Sequence, residues 1–403
     1  MKKQSKFPAE LLKRPWEERL SYFKACKVPH QRMQAVTQEI RSTIKRRDGE
    51  GFIFVVGPTR IGKTTVYEHL MDELLKEAAD EMRRDLGCIP VAGMEARSYP
   101  RGYDWKDHWV GCLTALNEPL IEYKRAPKAL MLEAEETNRA AFRESRTAAV
   151  LRRSFEKAAG QRKLRVFCID EAHHLTLVPQ ERLHRDQIEI IKSVASHSGA
   201  MHVLFGTYDL LRLRNANGQL GSRAVTIHYN RYQPNIESDL KDFADAVLSL
   251  VPHMPLPEAP DLRDDLDYCF EISLGLLGLM KVWLTDALGG AMERGQRTLT
   301  RKDLEKFQPD LDVLEKITRE IVEGEAKLKQ HDKLRSLIRW RMQQGGSCFG
   351  QRPPDFQVSG AASSTAETSG KTPAAGAPKK RSGRIERKPK RDPAGGGRKK
   401  SVA

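Results

Sequence analysis

One eight-residue segment constrains this chain more than any other feature. Residues 57–64 read GPTRIGKT and match the pattern GxxxxGK[ST] at every fixed position. The segment follows an apolar run, residues 52–56, and a helical pattern begins at Thr64. A strand, a glycine-rich loop and a helix in this order bring backbone N–H groups and a helix N-terminus to bind phosphates. The sequence therefore predicts a phosphate-binding loop, and the alternative is a glycine-rich loop that matches by chance.

The loop predicts a site for ATP and Mg²⁺. We expect Lys63 to reach the β- and γ-phosphate oxygens and the Thr64 hydroxyl to coordinate Mg²⁺. The other contacts are expected to come from the loop itself and from the start of the helix. The predicted nucleotide-binding residues of this segment are Gly57, Pro58, Thr59, Arg60, Ile61, Gly62, Lys63, Thr64 and Thr65.

An acidic pair follows a second apolar run, about 110 residues further along the chain. Residues 164–169 read LRVFCI and end at Asp170 and Glu171. We expect Asp170 to hold Mg²⁺ and Glu171 to polarise the attacking water. The alternative is a pair of surface carboxylates that open a helix. His173 and His174 come next, and we interpret them as ordinary polar residues at a helix start in preference to metal ligands.

The remaining pattern alternates strands and helices and predicts an α/β fold with a parallel five-stranded sheet. The predicted strands lie near residues 52–56, 88–92, 164–169, 202–205 and 224–229. The predicted helices between them cover about residues 64–86, 106–160 and 183–197. In such a sheet, ligands bind at the carboxyl ends of the strands.

The chain divides into four predicted segments. An N-terminal helical adaptor covers residues 1–50, and the α/β nucleotide-binding domain covers residues 51–255. Residues 256–344 read as helices only and predict a small all-α lid, with a capped short helix at about residues 302–307. Residues 345–403 are rich in Pro, Gly, Ala, Ser and Lys and predict a disordered basic tail.

The charge of the chain indicates a polyanionic partner. The formal net charge is +15, and residues 345–403 hold 13 Lys/Arg and 4 Asp/Glu, so 13 − 4 = +9 belongs to the tail and +6 to the rest. Nucleic acid is the leading candidate for such a partner. The six cysteines are scattered without a CxxC pair, which favours a reducing cytoplasm. No run of about 18 apolar residues and no secretory signal is present, so we expect no membrane partner.

Three further residues are candidates for sensing or completing the nucleotide site. Thr207 ends the fourth predicted strand and is expected to contact the γ-phosphate or the water, the alternative being a turn threonine. Arg223 precedes the fifth strand and is a candidate finger toward a neighbouring subunit's γ-phosphate. Lys281 lies on a lid helix and is a candidate γ-phosphate contact, the alternative being plain lid core. The competitors for the finger role are Arg212, Arg214 and Arg231.

Taken together, these segments resemble the AAA+ transposition regulators of the TnsC/TniB family, which are related to MuB. The matching elements are GPTRIGKTT, VFCIDEAHHL, VLFGTYDLL, QLGSR and GLLGLMKVWLTDAL, and the resemblance covers roughly residues 20–310. The sequence departs from the family pattern in two places. The lid has Lys281 or Gly278 in place of a clear sensor arginine, and the basic tail is not part of the shared core.

The resemblance implies an ATPase with weak, switch-like hydrolysis that oligomerises as a ring or filament on duplex DNA. Such proteins connect a target-selection protein to a transposase. Candidate DNA contacts lie after the second strand and on the long helical segment, and their alternative is a set of solvated helix charges. They are Arg97, Arg101, Lys106, Arg143, Arg146, Arg152 and Arg153. Two other functions stay open: a different AAA+ machine, such as a replication or repair loader, and a nucleotide-dependent scaffold with little hydrolysis.

Overall fold

The computed structural model of this chain describes residues 6–47, 51–98, 102–121, 139–177, 190, 193–215 and 224–344. The side chains of residues 139–146 and 330–344 are outside this description. The predictions for the tail, Arg101, Arg143, Arg146 and Arg223 therefore lie outside the described residues or side chains. The chain divides into two units, Met1–Arg339 and Trp340–Ala403, and all contacts given below lie within the first.

A five-stranded parallel sheet forms the centre of the first unit, as the sequence predicts. The strand order is β2-β3-β4-β1-β5. The strands are β1 Gly51–Val56, β2 Val91–Glu95, β3 Val166–Asp170, β4 Met201–Gly206 and β5 Ala224–His228. β1 pairs with both β4 and β5, so the loop that follows it leaves the sheet between two neighbouring strand ends.

The second strand is three residues further along the chain than predicted. Residues 88–92 are apolar and suggested the strand, but Ile89 N–H donates to the Arg162 carbonyl and the Pro90 carbonyl accepts from Arg165 N–H. These bonds join the segment to the chain before β3, and proline has no N–H for a ladder. The strand itself is Val91–Glu95, which continues through less apolar residues.

The structure gives bounds for eleven α-helices in the described part of the chain. They are α1 Trp16–Ala25, α2 Gln31–Arg47, α3 Lys63–Arg84, α4 Trp105–Ala115, α5 Arg139–Gln161, α6 Leu210–Asn215, α7 Glu237–Leu250, α8 Leu266–Ser273, α9 Leu277–Glu293, α10 Arg301–Lys306 and α11 Leu311–Gln344. Residues 193–198 are also helical. The prediction of one helical stretch over 106–160 is wrong, because α4 ends at Ala115 and residues 116–120 are not helical.

The unbroken apolar run of β1 is explained by helices on both faces of the sheet. Phe52, Phe54 and Val56 point into a core that includes side chains of α4 and α5. Ile53 and Val55 alternate with them and point into a core that includes side chains of α2, α3 and α11. Successive side chains of a strand face opposite sides, so both sets must be apolar.

A third core holds the helices after the sheet together. Met280, Trp283 and Leu284 of α9 are fully buried in it, and Phe23 of α1 belongs to the same cluster. α10 begins with the predicted cap, in which the Thr300 N–H donates to the Asp303 carboxylate at 2.9 Å. In the described residues after 255 there is no strand, as predicted.

No single described helix is long and apolar enough to cross a membrane. α8 and α9 together have the length and composition of a broken span, with a bend of 112° between them. Twelve residues of α9 are buried inside the protein.

Candidate functional site

The carboxyl ends of the parallel strands bring the predicted site residues to one edge of the sheet. The phosphate loop follows β1, and Asp170 is the last residue of β3. Thr207 follows β4 directly, and Tyr229 follows β5. Gly57 N–H donates to the carbonyl of Gly206 at 3.3 Å, so the loop begins in contact with the end of β4.

The loop curls tightly before α3. Gly62 has φ +107°, a conformation that glycine adopts without a steric penalty, and it forms the N-cap of the helix. Arg60 has φ +66° although it carries a side chain. Gly57 lies so close to the backbone of Tyr229 that a Cβ would overlap the Tyr229 carbonyl oxygen. The loop therefore requires the two glycines that the motif specifies.

Lys63 is a buried cation at the centre of this loop. Its side chain is 6% exposed, and Nζ donates to the carbonyls of Gly57 at 3.2 Å and Pro58 at 2.9 Å. Burial lowers the pKa of the Lys63 ammonium, and the negative charges of Glu171 and Glu320 oppose this shift. A buried ammonium held by two neutral carbonyls is a strong site for an anion, because an anion supplies the charge that the carbonyls lack.

Asp170 and Thr64 provide oxygen ligands suited to Mg²⁺. Asp170 is 3% exposed, and burial raises the pKa of its carboxyl group above the usual range. Hydrogen bonds from the Thr64 hydroxyl and from Glu171 N–H, the latter at 2.9 Å, oppose this rise. A carboxylate and a hydroxyl in contact, beside a phosphate loop, form a hard oxygen donor set that fits Mg²⁺.

Glu171 has the geometry of a strained functional residue. Its φ is +50°, in the left-handed region that few residues with a side chain adopt. Its Oε2 lies 3.1 Å from His173 Nδ1, and this partner lowers the pKa of the Glu171 carboxyl group. Each of Glu171, His173 and His174 has an atom that could bind a metal, and these atoms lie within 4.8 Å of one another. The sequence interpretation had preferred ordinary polar residues to metal ligands here.

A pocket opens at the end of the loop where β3 and β4 finish. Thr59, His173 and Thr207 line it from the sheet side, and α11 lines it from the other side. Thr59 N–H donates to Glu320 Oε1 of α11 at 3.0 Å. Thr207 therefore lies beside the loop, and its contact with the γ-phosphate or the water stays a prediction. α11 contacts the loop directly, which was not predicted.

A second pocket lies at the opposite end of the loop. It is lined by Ile61, Gly62 and Thr65, and largely by apolar side chains from four other segments. The lining residues outside the loop include Val28, His30, Met33, Tyr229, Ala246, Leu250, Leu277 and Lys281. A mainly apolar cleft next to a phosphate loop has the lining expected of a nucleoside site, and we call it the nucleoside pocket.

Two polar side chains of this pocket have defined partners. His30 Nδ1 lies 3.0 Å from the Tyr232 hydroxyl, and His30 Nε2 lies 3.3 Å from the Tyr229 hydroxyl. Burial lowers the pKa of His30 to about 4. Lys281 Nζ donates to the carbonyls of Lys24, at 3.0 Å, and Cys26. The structure thus places Lys281 at the nucleoside end, and its predicted contact with the γ-phosphate stays a prediction.

The lid helix α9 also contacts the phosphate loop. Gly278 of α9 lies against the backbone of Arg60 and Gly62, and a Cβ at position 278 would overlap the Arg60 carbonyl oxygen. The start of α9 therefore rests on the loop between the two pockets.

The finger and DNA candidates are only partly described. Among the competitors of Arg223, Arg231 pairs with Glu325 at 3.2 Å and Arg214 donates to Thr226 at 2.9 Å. Arg97 is 4.0 Å from Asp107 with its side chain 74% exposed, and Arg153 is exposed. The two other described candidates are partly exposed: Lys106 is the second residue of α4, and Arg152 lies 3.5 Å from Glu156 on α5.

Sequence reasoning missed the nucleoside pocket and Glu320. The one available signal for the pocket was Tyr229, which ends a predicted strand at the ligand-binding edge of the sheet. Glu320 lies 261 residues from Thr59 along the chain, in a segment that reads as an ordinary charged helix.

Comparison with known proteins finds one family that matches part of the sequence. Residues 46–213 match the family described as AAA domain. No curated protein matches the sequence.

Several solved structures are similar in fold. The ADP form of the Aeropyrum pernix ORC2 protein is 13% identical, with a TM-score of 0.49 over 71% of each chain. Cdc6p from Pyrobaculum aerophilum is 15% identical, with a TM-score of 0.44 over 71% of this chain and 69% of that one. Domain III of the Thermotoga maritima replication initiation protein DnaA is 12% identical, with a TM-score of 0.39 over 71% of this chain and 95% of that one. Similarities at this level do not indicate a shared function.

The matched domain, the parallel sheet and the phosphate loop agree on one architecture. Residues 46–213 match the AAA domain family, and the chain has the AAA+ P-loop fold.

Proposed function

We propose that this chain is an ATPase that binds ATP·Mg²⁺, oligomerises on duplex DNA and links target selection to a transposase. The observation that carries the nucleotide part is Lys63. It is a buried ammonium beside Asp170 and Glu171, with neutral carbonyls as its hydrogen-bond partners.

Each residue has a separate task in the proposed reaction. Lys63 exchanges its carbonyl partners for β- and γ-phosphate oxygens, and the loop N–H groups bind the same phosphates. Thr64 and Asp170 would hold Mg²⁺, which when bound neutralises negative charge on the phosphate oxygens. The apolar pocket between Val28 and Leu277 receives the nucleoside.

Glu171 is the proposed base. The neighbouring His173 keeps the pKa of Glu171 low, so its carboxylate is ionised near neutral pH and can accept a hydrogen bond from the attacking water. Thr207 is proposed to donate to the γ-phosphate or orient the water from the end of β4. Arg223 of a neighbouring subunit is proposed to stabilise the charge of the transition state.

The DNA part of the proposal rests on charge and on the resemblance of residues 20–310 to transposition regulators. A net charge of +15 favours non-specific binding to a polyanion. Arg97 follows β2, is exposed and lies 4.0 Å from Asp107 of α4. Arg153 is exposed on α5, which packs against α4 through Trp109 and Phe155. Such contacts bind phosphates and carry no sequence information, so target choice would come from a partner.

The test is negative-stain imaging of the purified chain with linear duplex DNA and Mg²⁺, in ATP, in ADP and without nucleotide. We expect rings or filaments on DNA with ATP alone. Lys63→Ala is the matched variant and should give no assemblies with ATP. Arg97→Glu with Arg153→Glu should weaken DNA binding and lower its salt dependence while leaving nucleotide binding intact.

Each other outcome points to a different function. Assembly that requires a DNA junction favours a replication or repair loader. ATP binding with monomers under all conditions favours a nucleotide-dependent scaffold and contradicts the transposition proposal. Recruitment of a transposase to ATP-dependent assemblies, measured by co-sedimentation, then tests the last step.

A further inference from the structure

Glu320 of α11 lies where a phosphate would bind. Its Oε1 accepts the Thr59 N–H at 3.0 Å, and Thr59 is the third residue of the phosphate loop. Its charge also acts on Lys63, the cation of the same loop. The chain thus supplies a carboxylate to one of the backbone donors and to the ammonium that the proposed function assigns to nucleotide phosphates.

The position of Thr59 identifies which phosphate is concerned. The nucleoside pocket lies against Ile61, Gly62 and Thr65. The pocket at Thr59 also contains Thr207 and His173, next to the proposed base. Along the loop, Thr59 is therefore at the end away from the nucleoside, where the terminal phosphate of a triphosphate would lie.

Glu320 is held there by the packing of its helix. Leu314, Ile317 and Ile321 of α11 are buried in the same core as Ile61 of the loop. One turn further on, Glu325 pairs with Arg231 at 3.2 Å. These contacts fix α11 on both sides of Glu320, so the packing of the helix directs the Glu320 carboxylate toward the loop.

We propose that Glu320 is a specificity-determining residue that occupies the γ-phosphate position and makes the site discriminate against triphosphates relative to diphosphates. This rests on the proposed nucleotide binding. One N–H cannot serve the carboxylate and a phosphate oxygen together, and two anions at this distance repel each other. A diphosphate leaves Glu320 in place, whereas a triphosphate must turn it away. Binding of the triphosphate is therefore coupled to release of the contact between α11 and the loop.

The experiment measures the affinities of the full chain for ADP and for ATPγS, both with Mg²⁺, by titration calorimetry. Glu320→Gln keeps the size of the side chain and an oxygen acceptor but removes the charge. We expect it to tighten ATPγS binding about tenfold and to leave ADP binding within about twofold. Glu323→Gln is the matched control, since Glu323 lines the same pocket one turn away on the exposed side of α11.

The outcomes separate this inference from the proposed function. If the unchanged chain binds neither nucleotide, both fail. If it binds both, but Glu320→Gln leaves the ratio of the two affinities unchanged, the role of Glu320 is overturned and nucleotide binding stands. An equal gain for both nucleotides, or the same gain in Glu323→Gln, also overturns it, because the effect is then general electrostatics. Glu320→Ala, which removes the acceptor as well, should shift the ratio in the same direction as Glu320→Gln.

Discussion

The two ends of the proposed nucleotide cleft are built in opposite ways. The phosphate end consists of charges: a buried ammonium at Lys63 and carboxylates at Asp170, Glu171 and Glu320. The nucleoside end is mainly apolar, and its histidine, His30, is held neutral by burial. A few charged residues are enough to bind an ion, because each charge-assisted hydrogen bond is strong. A nucleoside is held by the summed weak contacts of many side chains.

The two ends also differ in how they are connected to the fold. The phosphate end is attached to the carboxyl ends of β1, β3 and β4, and the side chains of these strands are buried on both faces of the sheet. The nucleoside end lies between the segment before α2, the end of α7 and the start of α9, so it depends on the packing of three helical elements. Changes at the first end should therefore affect phosphate binding and chemistry, and changes at the second should affect affinity for the nucleoside and local stability.

Glu171→Gln should have the largest effect, and it should impair only the function of the phosphate end. It removes the proposed base but keeps the shape, so we expect ATP hydrolysis to fall about 100-fold or more with affinity for ATP nearly unchanged. Steady-state phosphate release and a binding titration check this. Glu39→Gln, on the exposed face of α2, is the control. Turnover at the original rate in Glu171→Gln would remove this residue from the role of base.

Gly278→Ala should damage both ends together, because Gly278 touches the loop between them. The new Cβ would overlap the Arg60 carbonyl, and the lid helix must shift. We expect affinity for ATP and ADP to fall about tenfold, and the free energy of unfolding to fall by about 1–3 kcal/mol.

Gly160→Ala is the matched control for this change. Its Cβ meets nothing within 4 Å near the end of α5, and alanine favours a helix, so stability should be unchanged or higher. Wild-type affinity in Gly278→Ala would show that the lid is not seated on the loop in solution.

Acidification should destabilise the nucleoside end through His30. Its pKa is lowered to about 4 in the folded chain from a usual value of 6.5. The unfolded chain therefore binds the proton more readily, so the stabilisation is complete above about pH 6.5 and is lost as the pH falls toward 4. Between pH 7 and pH 5 this costs about 2 kcal/mol.

The measurement is urea unfolding of the chain and of His30→Asn at both pH values. Asparagine does not titrate, so the loss between pH 7 and pH 5 should be about 2 kcal/mol smaller in the variant. Equal losses in the two proteins contradict the burial of a neutral His30.

Leu277→Ala should produce the smallest change and should separate the two ends most clearly. It removes an apolar wall of the nucleoside pocket, so affinity for ATP should fall about fivefold while affinity for inorganic tripolyphosphate is unchanged. Val282→Ala, on the same helix with Val282 38% exposed, is the control. An equal loss for ATP and tripolyphosphate would show that the two ends are one site.

The difference between the two ends of the cleft explains which parts of the site could be predicted from the sequence. Residues 57–64 are contiguous, and Asp170 follows an apolar run, so local spacing alone identified them. The five strands were predicted because a sheet covered on both faces requires unbroken apolar runs, as in β1. β2 was predicted three residues too early: residues 88–90 are apolar, but Ile89 N–H donates to the Arg162 carbonyl before β3, and Pro90 has no N–H to donate.

Local sequence patterns could not predict the nucleoside pocket or the role of Glu320. Val28, Tyr229 and Leu277 come from segments about 50 to 200 residues apart, and each reads as ordinary core on its own. Glu320 reads as one more exposed charge on an amphipathic helix. Only the packing of α11 against the loop, which depends on distant residues such as Ile61, brings its carboxylate to Thr59.

Nucleotide binding by the phosphate loop is the central claim, and a titration tests it directly. The full chain and Lys63→Ala are titrated with ADP·Mg²⁺ and ATPγS·Mg²⁺, and Lys76→Ala, on the exposed side of the same helix, is the control. We predict one saturable site in the full chain and in Lys76→Ala, and at least about a 100-fold loss of affinity in Lys63→Ala. Equal binding in Lys63→Ala, or no binding in any of the three proteins, would contradict the assignment of this loop as the nucleotide site.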